Sequence, residues 1–250
     1  MSLTDAVLVL MAGLWAGTIN TVVGSGTLVS FPVLLSIGLP PVTANVSNTV
    51  GLFPGSLAGA WGYRRELRGQ GRRILILSVF SVTGAIIGAV LLLSLPPDAF
   101  ESVVPWLIAL ALVLVVAGPR ITQRLRETRF APSERITLAL AVATALTGVY
   151  GGYFGAAQGV LLVGFMGLLL AEDLQRINAA KNVLAGLVNL VAAVVFVIVA
   201  DVRWDVAGLV AVGSIAGGLL GAKIGRRLPP NVLRGVIVAV GLVAMVALLR

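Results

Sequence analysis

The chain contains Ser81-Val-Thr-Gly84-Ala-Ile-Ile-Gly88-Ala89 and, 133 residues later, Ser214-Ile-Ala-Gly217-Gly-Leu-Leu-Gly221-Ala222. Each copy is followed by Leu-Pro-Pro, at Leu95-Pro96-Pro97 and at Leu228-Pro229-Pro230. Small residues four positions apart are common wherever membrane helices pack closely, so that spacing alone is a weak signal. The shared serine and the shared Leu-Pro-Pro make the match much more specific. We therefore predict that the chain is built from two related halves.

The rest of the sequence is strongly apolar. Of its 250 residues, 58% are hydrophobic and 11% are charged, whereas soluble domains carry about 25% charged residues. Apolar stretches of about 20 residues, the length of a membrane-spanning helix, recur throughout. They lack the alternating polarity of an outer-membrane barrel. The sequence predicts an all-α polytopic membrane protein with apolar segments at 4–23, 27–38, 42–63, 73–95, 101–118, 136–155, 159–171, 177–200, 204–222 and 231–249.

Two of these segments, 27–38 and 159–171, are too short for ordinary spanning helices. Segments of this length are more often re-entrant or half-helical. Each follows a glycine-rich break, Gly24-Ser25-Gly26 in one case and Gly155-Ala-Ala-Gln158-Gly159 in the other. We expect eight to ten membrane segments, depending on whether the short ones span or re-enter. Other matches between the halves, at slightly different spacings, are Gly17 with Gly148, Gly24 with Gly155 and Asn48 with Asn182.

Loop charges predict the orientation. Basic residues concentrate in the loops at 64–73, 119–135 and 223–234. Cytoplasmic loops carry such an excess, so we place these loops inside and the acidic loop 96–101 outside. The two Leu-Pro-Pro loops then lie on opposite sides, which makes the two repeats inverted, as in many secondary transporters. Both termini are expected outside the cell inner (plasma) membrane, because residues 1–10 contain no Lys or Arg.

This reading divides the chain into an N-terminal repeat at 1–118, a cytoplasmic basic linker at 119–135 and a C-terminal repeat at 136–250. The net charge of +8 is explained by the basic residues of the cytoplasmic loops, so we expect no nucleic-acid partner. The first 17 residues lack the basic region and cleavage site of a signal peptide, and we expect them to be retained. The chain has no Cys and no His, which excludes thiol chemistry and the commonest general base and metal ligand. We predict no catalytic residue, metal or cofactor.

Lys181 is the only charged residue that falls well inside an apolar segment. All ten acidic residues lie in or beside loops. Ionisable residues within a membrane usually mark function. Two interpretations stay open: Lys181 reaches the cytoplasmic interface with its long side chain, or it is a buried cation whose counter-ion is the substrate.

The glycine-rich breaks predict an anion site. A helix that restarts after a break presents unpaired N–H groups and a positive dipole end. Polar residues on the segments around 42–63 and 177–200 form two similar stripes. They could instead join helices, and the glycines could serve close packing alone. The predicted substrate-binding residues are Asn20, Gly24, Ser25, Gly26, Thr27, Asn48, Tyr150, Tyr153, Gly155, Gln158, Gly159, Lys181, Asn182 and Asn189.

Several stretches carry a family resemblance. They are Gly17-Thr-Ile-Asn-Thr-Val-Val-Gly24-Ser-Gly26-Thr-Leu-Val-Ser-Phe-Pro32, Gly38-Leu-Pro-Pro-Val-Thr-Ala44-Asn-Val-Ser-Asn48, Gly148-Val-Tyr-Gly-Gly-Tyr-Phe-Gly155 and Ala179-Ala-Lys181-Asn182. With these, nearly the whole chain resembles the TauE/SafE family of sulfite exporters and anion permeases. The resemblance implies transport of sulfite, thiosulfate, a sulfonate or a related small anion, coupled to protons. The breaks depart from the longer glycine runs common in that family, which leaves the substrate open.

We therefore predict a proton-coupled secondary transporter of a small sulfur-containing anion. Its partners would be that anion, protons and the lipid bilayer, with a possible homodimer. A passive anion channel is the first alternative. An intramembrane enzyme is the second, and Ser25 with Lys181 is the only nucleophile and base pair that the sequence offers it.

Overall fold

The computed structural model describes residues 1–128 and 136–224, together with the single positions 235, 238, 239 and 242. These described residues are helical and contain no β-strand. The helices are α1 (Leu3–Val22), α2 (Thr27–Ser36), α3 (Pro41–Gly62), α4 (Gly71–Ser94), α5 (Pro97–Thr128), α6 (Leu138–Tyr153), α7 (Gln158–Leu169), α8 (Leu174–Val199) and α9 (Trp204–Ile224). Leu228-Pro229-Pro230, the basic residues at 226, 227 and 234, and most of the predicted segment 231–249 lie outside the described residues.

The prediction of an all-helical membrane protein is confirmed. Helices α1, α4, α8, α9 and the part of α5 up to Ala117 are long and apolar enough to cross a membrane, and α2, α6 and α7 are shorter apolar helices. Large apolar side chains lie on the outside of the helices, with Leu138 80% exposed and Ile198 76% exposed. Such a surface is suited to lipid and not to water.

Helix α5 continues further than we predicted. It runs to Thr128, through residues that we assigned to the basic linker 119–135. The change from apolar to charged composition suggested a loop, but Gln, Arg, Leu and Glu, which fill positions 123–127, are all good helix formers. A change in polarity therefore marked the end of the apolar stretch and not the end of the helix.

The two halves use the same helix contacts. Helix α1 packs on α9, and α4 packs on α6, while α3 and α8 pack on each other between these pairs. A side chain at Gly17 would overlap the Ser214 backbone, and a side chain at Gly148 would overlap the Ser81 backbone. Gly17 matches Gly148 in sequence, and Ser81 matches Ser214, so the two contacts are equivalent. The repeated pattern thus produces repeated packing, whereas the inverted orientation of the halves in the membrane stays a prediction.

Candidate functional site

Both breaks end a helix with the same turn. After α1, the Gly24 N–H donates to the Ile19 carbonyl at 3.0 Å, and after α6 the Gly155 N–H donates to the Tyr150 carbonyl at 3.0 Å. Gly24 has φ 92° and Gly155 has φ 75°. This left-handed conformation is the one in which glycine commonly ends a helix. Two glycines that match in sequence therefore build matching helix ends.

The two breaks meet each other. The Gly159 N–H, at the start of α7, donates to the Gly24 carbonyl at 2.9 Å. A side chain at either glycine would overlap the backbone of the other. Helices α2 and α7 both begin at this crossing, and no side chain caps either N-terminus. The crossing brings two positive helix ends together, although one of the α7 donors is already used by Gly24.

Lys181 lies at this crossing and caps the end of α1. Its Nζ donates to the Asn20 carbonyl and to the Thr21 carbonyl, each at 2.9 Å. The side chain is fully buried and packs so closely that a Cβ on Gly159 would lie 2.9 Å from its Cδ. It therefore does not reach the surface of the protein. Its partner is the negative end of a helix dipole, where a cation is favoured.

Two asparagines from α8 reinforce this cap. The Nδ2 of Asn182 donates to the Thr21 carbonyl at 3.2 Å, and that of Asn178 donates to it at 3.4 Å. The end of α1 in the first half is thus held by three side chains from the second half. An ammonium has three donors, so Lys181 keeps one N–H beyond its two bonds to carbonyls.

The end of α6 is capped in a corresponding way from the first half. Asn45, on α3, donates from Nδ2 to the Tyr153 carbonyl at 3.0 Å. Asn45 and Asn178 are 133 residues apart, as are Ser81 and Ser214, and each donates to a helix end of the opposite half. At this spacing Lys181 corresponds to Asn48, whereas the sequence suggested Asn182 as the partner of Asn48. Asn45 stood in the predicted polar stripe but not among the predicted binding residues.

Several buried polar atoms at the breaks have no hydrogen-bond partner. Within the described residues these include Ser25 Oγ, Gln158 Nε2 and Asn48 Oδ1. Ser25 and Asn48 are fully buried and Gln158 is 3% exposed. A buried polar group without a partner is costly and rare in folded proteins. Their concentration beside Gly24 and Gly159 marks the crossing as a place where a polar ligand can be bound.

The remaining predicted residues divide into four groups. Asn20 and Asn189 both donate to Ser56 Oγ, at 3.2 Å and 3.3 Å, and so link α1, α3 and α8 beside the crossing. Asn48 donates to Thr27 Oγ1 at 3.4 Å, at the start of α2. The Tyr153 ring packs instead in an apolar cluster, with its centroid 5.6 Å from that of Phe100. Gly26 and Tyr150 contribute backbone carbonyls to the two helix junctions.

A separate charged cluster lies where the loop after α3 meets the start of α8. Glu172 binds Arg73 at 2.7 Å and Arg176 at 2.7 Å. Partial burial raises the pKa of Glu172, but the hydrogen bonds from Arg73 and Arg176 outweigh it and hold the pKa below its usual value. Glu172 is therefore ionised at neutral pH, and its ion pairs tie Arg73, at the start of α4, to Arg176 on α8.

Comparisons with known proteins agree with the resemblance noted from the sequence. A family model described as "Sulfite exporter TauE/SafE" matches residues 9–248. A Haemophilus influenzae protein named "Probable membrane transporter protein" is 27% identical over 85% of this chain and 82% of its own length. A Sinorhizobium protein named "Probable membrane transporter protein ORF9" is 26% identical over 96% of this chain and 90% of its own length. No solved structure matches the chain.

Proposed function

The chain belongs to the TauE/SafE sulfite exporter family, a family of membrane transporters, and we propose that it is a proton-coupled secondary transporter of a small sulfur-containing anion. Sulfite, thiosulfate and organosulfonates are the proposed substrates. The family name supports this class, and so do the names of relatives as membrane transporters. We further propose that it acts in the cell inner membrane and can form a homodimer.

The crossing of the two breaks is the observation that carries the proposal. It combines the buried Lys181 amine, two helix N-termini without side-chain caps and the unpaired Ser25 and Gln158. All of these favour an anion with several oxygen acceptors. A sulfur oxyanion offers such acceptors around one small centre, so that it can accept from both breaks at once.

We assign Lys181 the central role. An anion at the crossing would accept the third N–H of Lys181 and the amide of Gln158, while Lys181 still holds the end of α1. Anion binding would then act directly on the end of α1 through Lys181. A nearby anion also favours the protonated amine, so a proton could enter and leave with the substrate. The same bonds to carbonyls argue against Lys181 as a base for Ser25 in an enzyme.

Uptake into proteoliposomes tests this function. Radiolabelled sulfite, thiosulfate, sulfoacetate and taurine would each be supplied with and without an imposed pH gradient. We expect at least one to accumulate above its external concentration, and only when the gradient is present. Equilibration without accumulation would favour the passive channel. Failure of all four to enter would contradict the proposed substrate class.

The proposed orientation has its own test. The loops at 64–73 and 223–234 would face the cytoplasm, while 96–101 and both termini face outward. The chain has no Cys, so single cysteines can be placed freely. Asp98→Cys should react with a membrane-impermeant thiol reagent in intact cells, and Gly69→Cys should react only after the cells are opened. The opposite result would contradict the proposed orientation.

A further inference from the structure

An open groove of about 610 Å³ lies outside the proposed transport site, between the loop after α3 and the start of α8. We name it the arginine groove, and its lining includes Arg72, Arg73, Ile76, Ile136, Glu172 and Arg176. Three guanidinium groups stand against one carboxylate, so the groove carries an excess of positive charge. Arg72 is exposed and has no ion-pair partner among the described residues.

The groove is held in shape by its own contacts. Glu172 accepts from both Arg73 and Arg176, and Arg176 also donates to the Arg68 carbonyl at 3.1 Å. The buried Gln70 side chain donates to the Arg176 carbonyl at 3.1 Å. Arg73 and Arg176 are therefore positioned before any ligand arrives, which lowers the entropic cost of binding.

One wall of the groove is apolar. Ile76 on α4 and Ile136 ahead of α6 line it. Beyond Ile76, Val79 and Phe80 follow on the same face of α4, three and four residues further on, and they are 61% and 36% exposed. Helix α4 is one of the helices suited to span a membrane. The groove thus continues into an apolar surface that is suited to contact with lipid.

We propose that the arginine groove binds the phosphate headgroup of an anionic phospholipid, with an acyl chain lying along α4. The charged part matches a phosphodiester, and the apolar wall matches the chain attached to it. Helix α4 begins at Gly71 without a side-chain cap, so its dipole adds to the attraction for a phosphate. Basic pockets between membrane helices are a known type of site for such headgroups.

Thermal unfolding of the full-length protein in neutral detergent tests this proposal. Phosphatidylglycerol, phosphatidylcholine and inorganic phosphate would be added separately. We expect only phosphatidylglycerol to raise the melting temperature in a saturable way. Arg72→Gln should raise its half-saturating concentration about fivefold. Arg65→Gln is the matched control, because Arg65 lies in the loop that leads into α4, is exposed and does not line the groove.

Ile76→Gln supplies a second variant that leaves every charge in place. It should weaken phosphatidylglycerol binding because it makes the wall polar. Equal effects of phosphatidylglycerol and phosphatidylcholine, or of Arg72→Gln and Arg65→Gln, would overturn the proposal. Stabilisation by inorganic phosphate that Arg72→Gln removes would also overturn it, since the groove would then bind a soluble phosphate and not a lipid.

Discussion

The ends of α1 and α6 share a backbone turn but differ in the side chains that cap them. Both end at a glycine of positive φ that bonds to the carbonyl five residues earlier. The end of α1 receives Lys181 and two asparagines, whereas the Tyr153 carbonyl at the end of α6 receives the single neutral amide of Asn45. The caps come from α8 and α3, the helices of the opposite halves.

The two halves therefore share their backbone turns but differ in the side chains that surround them. The glycines produce the same helix ends in both halves. The chemistry is added by α3 and α8, and it is unequal, because Lys181 stands where the first half has Asn48. Only one of the two similar sites therefore has a side chain that can carry a positive charge. If the site binds an anion, we expect the first break to contribute more to binding than the second.

Replacing Gly24 or Gly155 by alanine should have the largest effect on uptake, and the two replacements should differ in size. Each replacement forces a non-glycine residue into a conformation that costs about 1–2 kcal/mol. Gly24→Ala also overlaps the Gly159 backbone, whereas a Cβ on Gly155 meets only the Gly151 carbonyl of its own helix. We expect Gly24→Ala to reduce initial uptake more than about tenfold and Gly155→Ala about threefold. Equal losses per inserted protein would contradict a special role of the crossing.

Replacing Lys181 tests the charge difference itself. Lys181→Met removes the positive charge and the N–H that the anion would accept, a charged hydrogen bond worth about 1.5–3 kcal/mol, so anion affinity should fall at least about tenfold. Asn48→Leu is the comparison from the other half and should cost less, because it removes a single neutral bond of 3.4 Å. Substrate concentration dependence of uptake in proteoliposomes measures both.

Lys181→Arg separates binding from proton coupling. Arginine stays protonated, so we expect binding to survive while uptake loses its pH dependence and its accompanying proton flux, read with an entrapped pH dye. If Lys181→Met instead transports with unchanged affinity and pH profile, Lys181 only caps α1. Proton movement would then depend on the protonation of the substrate.

The sequence predicted the helices well but not the way in which the halves cap each other. Segment lengths and glycine-rich breaks located α1 to α4 and α6 to α9 within a few residues, because membrane thickness imposes the length of an apolar helix. It also placed Lys181 inside an apolar segment, but left open whether its side chain reaches the interface or is buried. The bond from Asn45 to Tyr153 joins residues 108 positions apart, and no local pattern reports such a pairing. Tyr153 was predicted to bind substrate, but a sequence does not say that its ring packs against Phe100.

Removing one asparagine from each cap should have a smaller effect, on stability. Asn45→Ala removes the only side-chain donor to the Tyr153 carbonyl among the described residues, which should cost about 1 kcal/mol. Asn182→Ala should cost less, because the Thr21 carbonyl keeps Lys181 and Asn178. Thermal unfolding in detergent compares the two. A larger loss for Asn182→Ala would mean that the cap of α1 is not redundant.

The starts of α8 and α3 extend the same comparison. Helix α8 begins with the Asp173 side chain accepting from the Gln175 N–H at 2.8 Å, beside the ion pairs of Glu172. Helix α3 begins after Pro40, with Pro41 in its first turn and no side-chain cap. One start depends on charge and the other on the fixed backbone of proline. The start of α8, beside the Glu172 carboxylate, is therefore the one whose stability we expect to depend on pH.

Glu172→Gln should have the smallest effect of these substitutions on the melting temperature, and this effect should depend on pH. The pKa of folded Glu172 lies below its usual value of 4.5, because hydrogen bonds from Arg73 and Arg176 outweigh the effect of burial. A carboxylate with a lowered pKa stabilises the fold above the unfolded pKa, and this stabilisation is lost as pH falls through the folded pKa. The melting temperature of Glu172→Gln should therefore lie slightly below that of the parent protein from neutral pH down to about 5, and the two should converge below about 4.5. The difference stays small because these side chains are partly exposed and solvent screens the pair. A gap that persists in acid would show that Glu172 acts through packing and not through its charge.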